Sequence, residues 1–226
     1  MFFFFFNNQY IAIIGDIKKS KQLDDRKKIQ IQLQKILNDI NIKYTKDIAS
    51  KFMITLGDEF QGLLGCGENV MSIISEIETK IYPVKIRYGV GIGEMTTDIN
   101  PDLPLGADGP AYYNARDAIE YLKNNEKKSK ASQANIMIMA DGESNPTVKL
   151  LNTVLSLETV IKSKWTDRQR EIIHEYIKND DNQIKAAEGL SITQSSVQKS
   201  LSKANYYTYK EAMDIVSNVL SEIRRK

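Results

Sequence analysis

Lys51-Phe-Met-Ile-Thr-Leu-Gly-Asp-Glu-Phe-Gln-Gly-Leu-Leu64 reads as strand, two-residue turn, strand. Apolar and β-branched residues run from Phe52 to Leu56, and a second apolar run, broken by Gln61 and Gly62, ends at Leu64. Gly57-Asp58 between them suits a tight hairpin turn, because glycine accepts positive φ and aspartate accepts local backbone hydrogen bonds. The hairpin therefore carries two adjacent carboxylates, Asp58 and Glu59, at its tip. Such a tip is a solvated turn or half of a cation site, and spacing alone leaves both readings open.

Upstream of the hairpin, Tyr10-Ile-Ala-Ile-Ile14 is a continuous apolar run ending in Gly15-Asp16. That is the pattern of a buried central strand with Asp16 at its C-terminal end. From Leu23 to about Asn41, residues Ile29, Leu33, Ile36, Leu37 and Ile40 mark one helical face, and Tyr44 to Ala49 is a short helical or irregular link. Downstream, Asn69 to Ile81 is again helical and Pro83 stops it. Val84 to Gly93 alternates as a strand with one buried face; its glycines 89, 91 and 93 mark a close approach by another backbone or a ligand. Thr96 to Asp108 is a loop, Pro110 opens a helix from Ala111 to Asn124, Asn125 to Gln133 is a lysine-rich connection, and Ala134 to Ala140 is the last strand. This order predicts an α+β domain of ferredoxin-like type over residues 1–144, with a mostly antiparallel sheet of about five strands and helices on one face.

Beyond a turn-rich stretch, Thr147 to Lys164 reads as a helix, so residues 145–164 form a connector. Residues 165–226 are helical throughout. Thr166 or Asp167 caps one helix, Asn182 to Glu188 forms a short second one, Gly189 stops it, and Gln194 to Ala204 follows a tight turn. Short helix, turn, second helix is the helix-turn-helix plan. Ala186, Ala187, Leu190, Ile192, Val197 and Leu201 would pack it. The second helix turns Gln194, Ser195, Ser196, Gln198, Lys199, Ser202 and Lys203 outward with no acidic residue, a set able to meet base edges and phosphates.

Composition narrows the chemistry. The chain has 226 residues, 31 basic against 29 acidic, and a net charge of +2, so nucleic-acid contact has to come from a local patch. A single cysteine, Cys66, excludes a disulfide framework and a cysteine-based zinc site, and a reducing cytoplasm fits. The lone histidine, His174, argues against Ser-His or Cys-His catalysis and reads as a surface residue. Metal chemistry would use oxygen ligands, hence Mg²⁺ or Mn²⁺. Met1 and the five phenylalanines after it form an apolar tail or short extension too short to span a bilayer, and no membrane span is expected. Tyr112-Tyr113 and Tyr206-Tyr207 read as packing aromatics, and Arg224-Arg225-Lys226 as a terminus that complements a helix dipole.

Gly15-Asp-Ile-Lys-Lys-Ser-Lys-Gln-Leu23, Ile54-Thr-Leu-Gly-Asp-Glu-Phe60 and Lys85-Ile-Arg-Tyr-Gly-Val-Gly-Ile-Gly-Glu94 resemble class III nucleotide cyclases in order and spacing. The Leu-Gly-Asp-Glu-Phe hairpin is also similar to the signature of diguanylate cyclases. With Asp108-Gly-Pro-Ala-Tyr112 and Trp165-Thr-Asp-Arg-Gln169, the chain after Gln9 looks like a member of the SatD family. The cyclase resemblance implies a metal held by Asp16, the carbonyl of Ile17, Asp58 and Glu59, with Lys19, Ser20, Gly57, Asp108, Asn114 and Arg116 toward a nucleotide. It also shows departures: Asn114 and Arg116 are two apart where cyclases place such a pair four apart, and Lys19 replaces a glycine. The segment Gln183 to Asn205 resembles the helix-turn-helix of sigma-factor region 4 and response regulators.

The expected function is a DNA-binding regulator whose cyclase-like domain holds a nucleotide, or another phosphate-bearing small molecule, with Mg²⁺ or Mn²⁺. An active cyclase or transferase on nucleoside triphosphates, and a non-catalytic interaction protein, are the alternatives. Both resemblances imply a homodimer.

Overall fold

The computed structural model describes residues 9–128, 134–141 and 145–223. The phenylalanine run and Arg224-Arg225-Lys226 lie outside the described residues. The chain divides into two compact units, Met1–Ser156 with Val216–Lys226, and Leu157–Ile215.

The first unit is built on a mixed sheet of β1 (Tyr10–Ile17), β2 (Ile48–Leu56), β3 (Glu59–Leu64), β4 (Ile86–Gly93) and β5 (Ile136–Ala140). The strand order is β2-β3-β1-β4-β5. β1 is antiparallel to β3 and β4, β2 is antiparallel to β3, and β5 is parallel to β4. The apolar run at Tyr10 is thus the central strand, and it extends to Ile17, so Asp16 is a strand residue rather than one emerging past the end. The hairpin is as expected: Gly57 and Asp58 alone join β2 to β3, and Gly57 has φ 56°.

Register determines the faces, because side chains alternate along a strand. Ala12, Ile14, Asp16, Glu59, Gln61, Leu63 and Arg87 share one face with the β4 glycines. α3 (Pro110–Glu126) lies on that face, where Ala111, Tyr112, Ala115 and Ile119 pack with Ala12, Ile14 and Leu63. A β-carbon on Gly89 or Gly91 would collide with the Ala115 or Ala111 carbonyl oxygen. The backbone approached by these glycines is therefore this helix. Residues 94–109 cover the rest of the face: the Gln61 side chain donates to the Pro104 carbonyl at 3.1 Å and the Lys51 N–H to Pro101 at 2.9 Å.

Ile11, Ile13, Phe60, Gly62 and Tyr88 belong to the opposite face. There Phe52 packs on Gly62, and α1 (Arg26–Lys43) holds Phe52 through Asn41, which accepts from its N–H at 2.8 Å and donates to its carbonyl at 2.9 Å. α2 (Val70–Ile81) pairs with α1. Helices on one face is thereby corrected: α3 and α1 cover opposite faces, because both sides of the central strands are apolar and both need burial. At the other edge Asn152 of α4 (Pro146–Ser163) clamps Ile138 of β5 in the same manner, at 2.8 Å each way. Each sheet edge is thus blunted by one asparagine amide standing in for a further strand.

The second unit contains α5 (Asp167–Lys178), α6 (Gln183–Gly189) and α7 (Gln194–Lys203). Thr166 is the α5 cap and forms a full capping box with Gln169; Asn182 and Thr193 cap α6 and α7. Ile172, Ile173, Tyr176, Ala186, Ala187, Val197 and Leu201 form the core, with Trp165, Leu190 and Ile192 packed against it. Trp165 is pinned by its indole N–H, which donates to the Ala204 carbonyl at 2.7 Å. The last helix, α8 (Tyr206–Ser221), and α4 each cross the divide between units, so neither is only a connector or only part of the helix-turn-helix. The physical reason for α8 is that Val216 and Leu220 are fully buried, while the Gly67 N–H of the first unit donates to the Ile223 carbonyl at 2.9 Å. No helix among the described residues is long and apolar enough to cross a membrane.

Candidate functional site

Glu59, Asp16 and Arg87 stand side by side on β3, β1 and β4, one charged row across three strands. The row begins where the β4 glycines stop, and the C-terminal end of α3 brings Lys123 and Glu126 onto it. Arg87 Nη1 meets Asp16 Oδ2 at 2.5 Å, and Lys123 Nζ meets Asp16 Oδ1 at 2.9 Å and Glu59 Oε1 at 3.2 Å. Arg87 Nη2 and Lys18 Nζ each reach Glu126 at 2.5 Å. Lys18 also donates to the Asn135 side chain at 2.6 Å. Three cations and three carboxylates thus close one network.

Burial sharpens these pairs. The Asp16 side chain is 6% exposed and that of Arg87 12%. Burial is the largest single influence and would lower the Lys123 ammonium, yet the hydrogen bonds and negative charges of Asp16 and Glu59 together outweigh it and raise the pKa above its ordinary value. Burial would raise Glu126, but the bonds from Arg87 and Lys18 hold it below the usual carboxylate range. Burial dominates at Lys18 and lowers its pKa.

Asp58 sits apart from this row, at the turn. Its carbonyl accepts the Ile17 N–H at 3.0 Å and its carboxylate accepts the Ser20 hydroxyl. Lys19 has left-handed backbone geometry, φ 53°, opening the single turn Ser20–Gln22. The Gly57 carbonyl accepts from Gln30 of α1 at 2.5 Å. So Asp16, Ile17, Lys19, Ser20, Gly57, Asp58 and Glu59 gather at one end of the sheet.

The remaining expected nucleotide residues gather elsewhere. Asp108 accepts from Tyr113 at 2.5 Å, and Asn114 donates to the Ile92 carbonyl and the Asp141 carboxylate, both at 2.9 Å. These residues, with the exposed Arg116, lie toward the N-terminal end of α3; Asn114 is nine residues from Lys123, about 14 Å along the axis. One chain therefore does not unite the two groups. The residues of this network that sequence reasoning missed are Lys18, Arg87, Lys123 and Glu126. The alternation of β4 and the period of α3 could have pointed to the last three, and Lys18 is the neighbour of Lys19, which the cyclase resemblance singles out.

A divalent cation at Asp16 fails on this geometry. Both Asp16 oxygens already carry a cation, Asp58 bonds to Ser20, and no three His, Cys, Asp or Glu side chains converge among the described residues. Mg²⁺ needs oxygen ligands at about 2.1 Å in a near-octahedral shell, and these carboxylates are committed to other partners.

In the second unit, Gln194, Ser195, Ser196, Gln198, Lys199, Ser202 and Lys203 are all exposed on α7. Gln198 is held by Gln183 at 2.5 Å and by the Tyr207 hydroxyl at 2.9 Å, and Gln194 donates to Gln183. Tyr207 is therefore more than a packing aromatic. Arg168, Lys199 and Lys203 line an open groove of about 420 Å³ floored by Ile172 and Ile192.

The profile of the SatD family matches residues 10–219. The chain belongs to the SatD family. No curated protein sequence matches it. Among solved structures it is similar to the catalytic core of a rhodopsin-guanylyl cyclase with converted specificity in complex with ATPalphaS, at 18% identity and a TM-score of 0.31, covering 58% of this chain and 77% of that one. It is also similar to a regulator of polyketide synthase expression from Bifidobacterium adolescentis, at 11% identity and a TM-score of 0.29, covering 97% and 87%.

Proposed function

We propose that this SatD-family protein is a DNA-binding regulator whose helix-turn-helix reads duplex DNA through α7. The observation that carries the reading is an exposed recognition helix with Gln, Ser and Lys outward, no acid, and a basic groove beside it. Residues 165–226 hold ten basic and nine acidic residues, so affinity would rest on the placement of Lys199 and Lys203 rather than on net charge. Fluorescence anisotropy with its own promoter region and a scrambled duplex, across a salt series, tests it. Lys199→Ala/Lys203→Ala should weaken binding and reduce the salt slope by about two, one counterion per lost phosphate contact. Unchanged affinity and slope in the double variant would sink the proposal.

The first unit would bind a phosphate-bearing small molecule, supported by Lys19 and the Ser20–Asp58 turn beside the charged row. Turnover of a triphosphate has less support, because Asn114 and Arg116 are remote from Asp16 in one chain. Pairing of two copies belongs to the same proposal. α4 leaves Leu150, Leu157 and Val160 exposed at spacings of seven and three, the seam that a helix pair buries.

A further inference from the structure

We propose that Lys123 is the resident counter-ion of Asp16 and Glu59, standing where a divalent cation would bridge the two strands, so that this end of the sheet works metal-free. The Lys123 ammonium contacts one oxygen of each carboxylate, at 2.9 Å and 3.2 Å. Asp16 and Glu59 are direct cross-strand neighbours, so a bridging ion has one place to go, and the ammonium is in it. The second Asp16 oxygen meets Arg87, itself anchored by Glu126, so each carboxylate oxygen already carries a cation and the side chain is only 6% exposed. A metal could enter only by evicting Lys123 into solvent or by sitting within a few ångströms of two positive groups, and like charges at that range repel strongly in a half-buried site.

Charge balance points the same way. Lys18, Arg87 and Lys123 offset Asp16, Glu59 and Glu126 one for one. A divalent ion would add two uncompensated charges to a neutral network, whereas loss of Lys123 leaves it one short of positive charge. The pair Asp16–Glu59 is then a latent cation site that one side chain keeps closed. Lys123 is reachable for this role because its side chain is 37% exposed, while Ile119 and Leu122 on α3 are buried and hold the helix.

Titration of Mn²⁺ into the full chain, with free ion followed by electron paramagnetic resonance, tests this without any nucleotide. The wild-type chain should take up no Mn²⁺ that depends on Asp16, even at millimolar concentration. Lys123→Met, which keeps the stem and removes the charge, should bind one ion per chain at least about tenfold more tightly than wild type, as expected when a neighbouring like charge is removed. Lys123→Met/Asp16→Asn should lose that ion again. The proposal is overturned if wild type binds one Mn²⁺ that Asp16→Asn abolishes, or if a folded Lys123→Met chain binds none. Should Lys123→Met not fold by circular dichroism, Lys123→Gln takes its place, and the wild-type titration decides by itself. DNA binding is read separately, so failure here and failure of the regulator reading remain distinguishable.

Discussion

At the scale of single residues the decisive contact is Asp16 with Arg87. Both side chains are nearly buried, and Arg87 Nε is buried with no hydrogen-bond partner, so the guanidinium depends on its two carboxylates. Removing Asp16 leaves Arg87 with Glu126 and Lys123 with Glu59, so the mostly buried network holds one excess positive charge, which costs about 3 kcal/mol. Asp16→Ala should therefore lower the unfolding free energy by that amount, seen as a lower urea midpoint at unchanged m, and Asp16→Ala/Arg87→Ala should cost less than the sum of the single changes. Glu126 provides a pH signature. Its folded pKa lies below its ordinary 4.5, so its stabilisation is complete above pH 4.5 and is lost as pH falls through the lower folded value. Glu126→Gln should lower stability at neutral pH and flatten the acid limb of a stability-against-pH curve. An unchanged limb would remove Glu126 from the network.

At the scale of elements, the asparagine clamps make the clearest prediction. Asn152→Ala frees the N–H and carbonyl of Ile138 at the sheet edge. It should cost about 1–2 kcal/mol in denaturant melts and raise aggregation, since the freed edge can pair with another chain. The elements also show what was legible in the sequence. Alternation and turn chemistry located the five strands, the two-residue hairpin and the helix-turn-helix core, because each of those signals is local. The exception is the start of β2, which begins at Ile48 inside the stretch read as a helical or irregular link. The glycines of β4 announced a close approach, and the approaching body is α3. The site was half legible. The carboxylates stand out in a linear reading, whereas Arg87 lies 71 residues from Asp16 and Lys123 arrives from a helix whose face was assigned only by packing. A carboxylate in a strand looks the same in sequence whether it awaits a metal or already holds a lysine.

At the scale of the whole molecule, the proposed self-association would bury the exposed stripe of α4. Light scattering on the eluting protein should report a dimer, and Leu157→Glu, an exposed position, should shift it to monomer without changing the circular dichroism spectrum. A dimer that survives Leu157→Glu/Val160→Glu would assign the contact elsewhere. Another consequence concerns how the chain can be divided. The segment Leu157–Ile215 is an insertion, and the residues that follow it return to complete the first unit. Leu220 and Ile223 are almost wholly buried there, and a β-carbon on Gly67 would collide with the Leu220 carbonyl. Domain dissection by simple truncation is therefore misleading for this protein. A fragment ending at residue 156 should melt well below the intact chain, although it contains every strand. A synthetic peptide covering residues 206–223, supplied in trans, should raise that melting temperature, whereas the same peptide with Leu220→Asp should not.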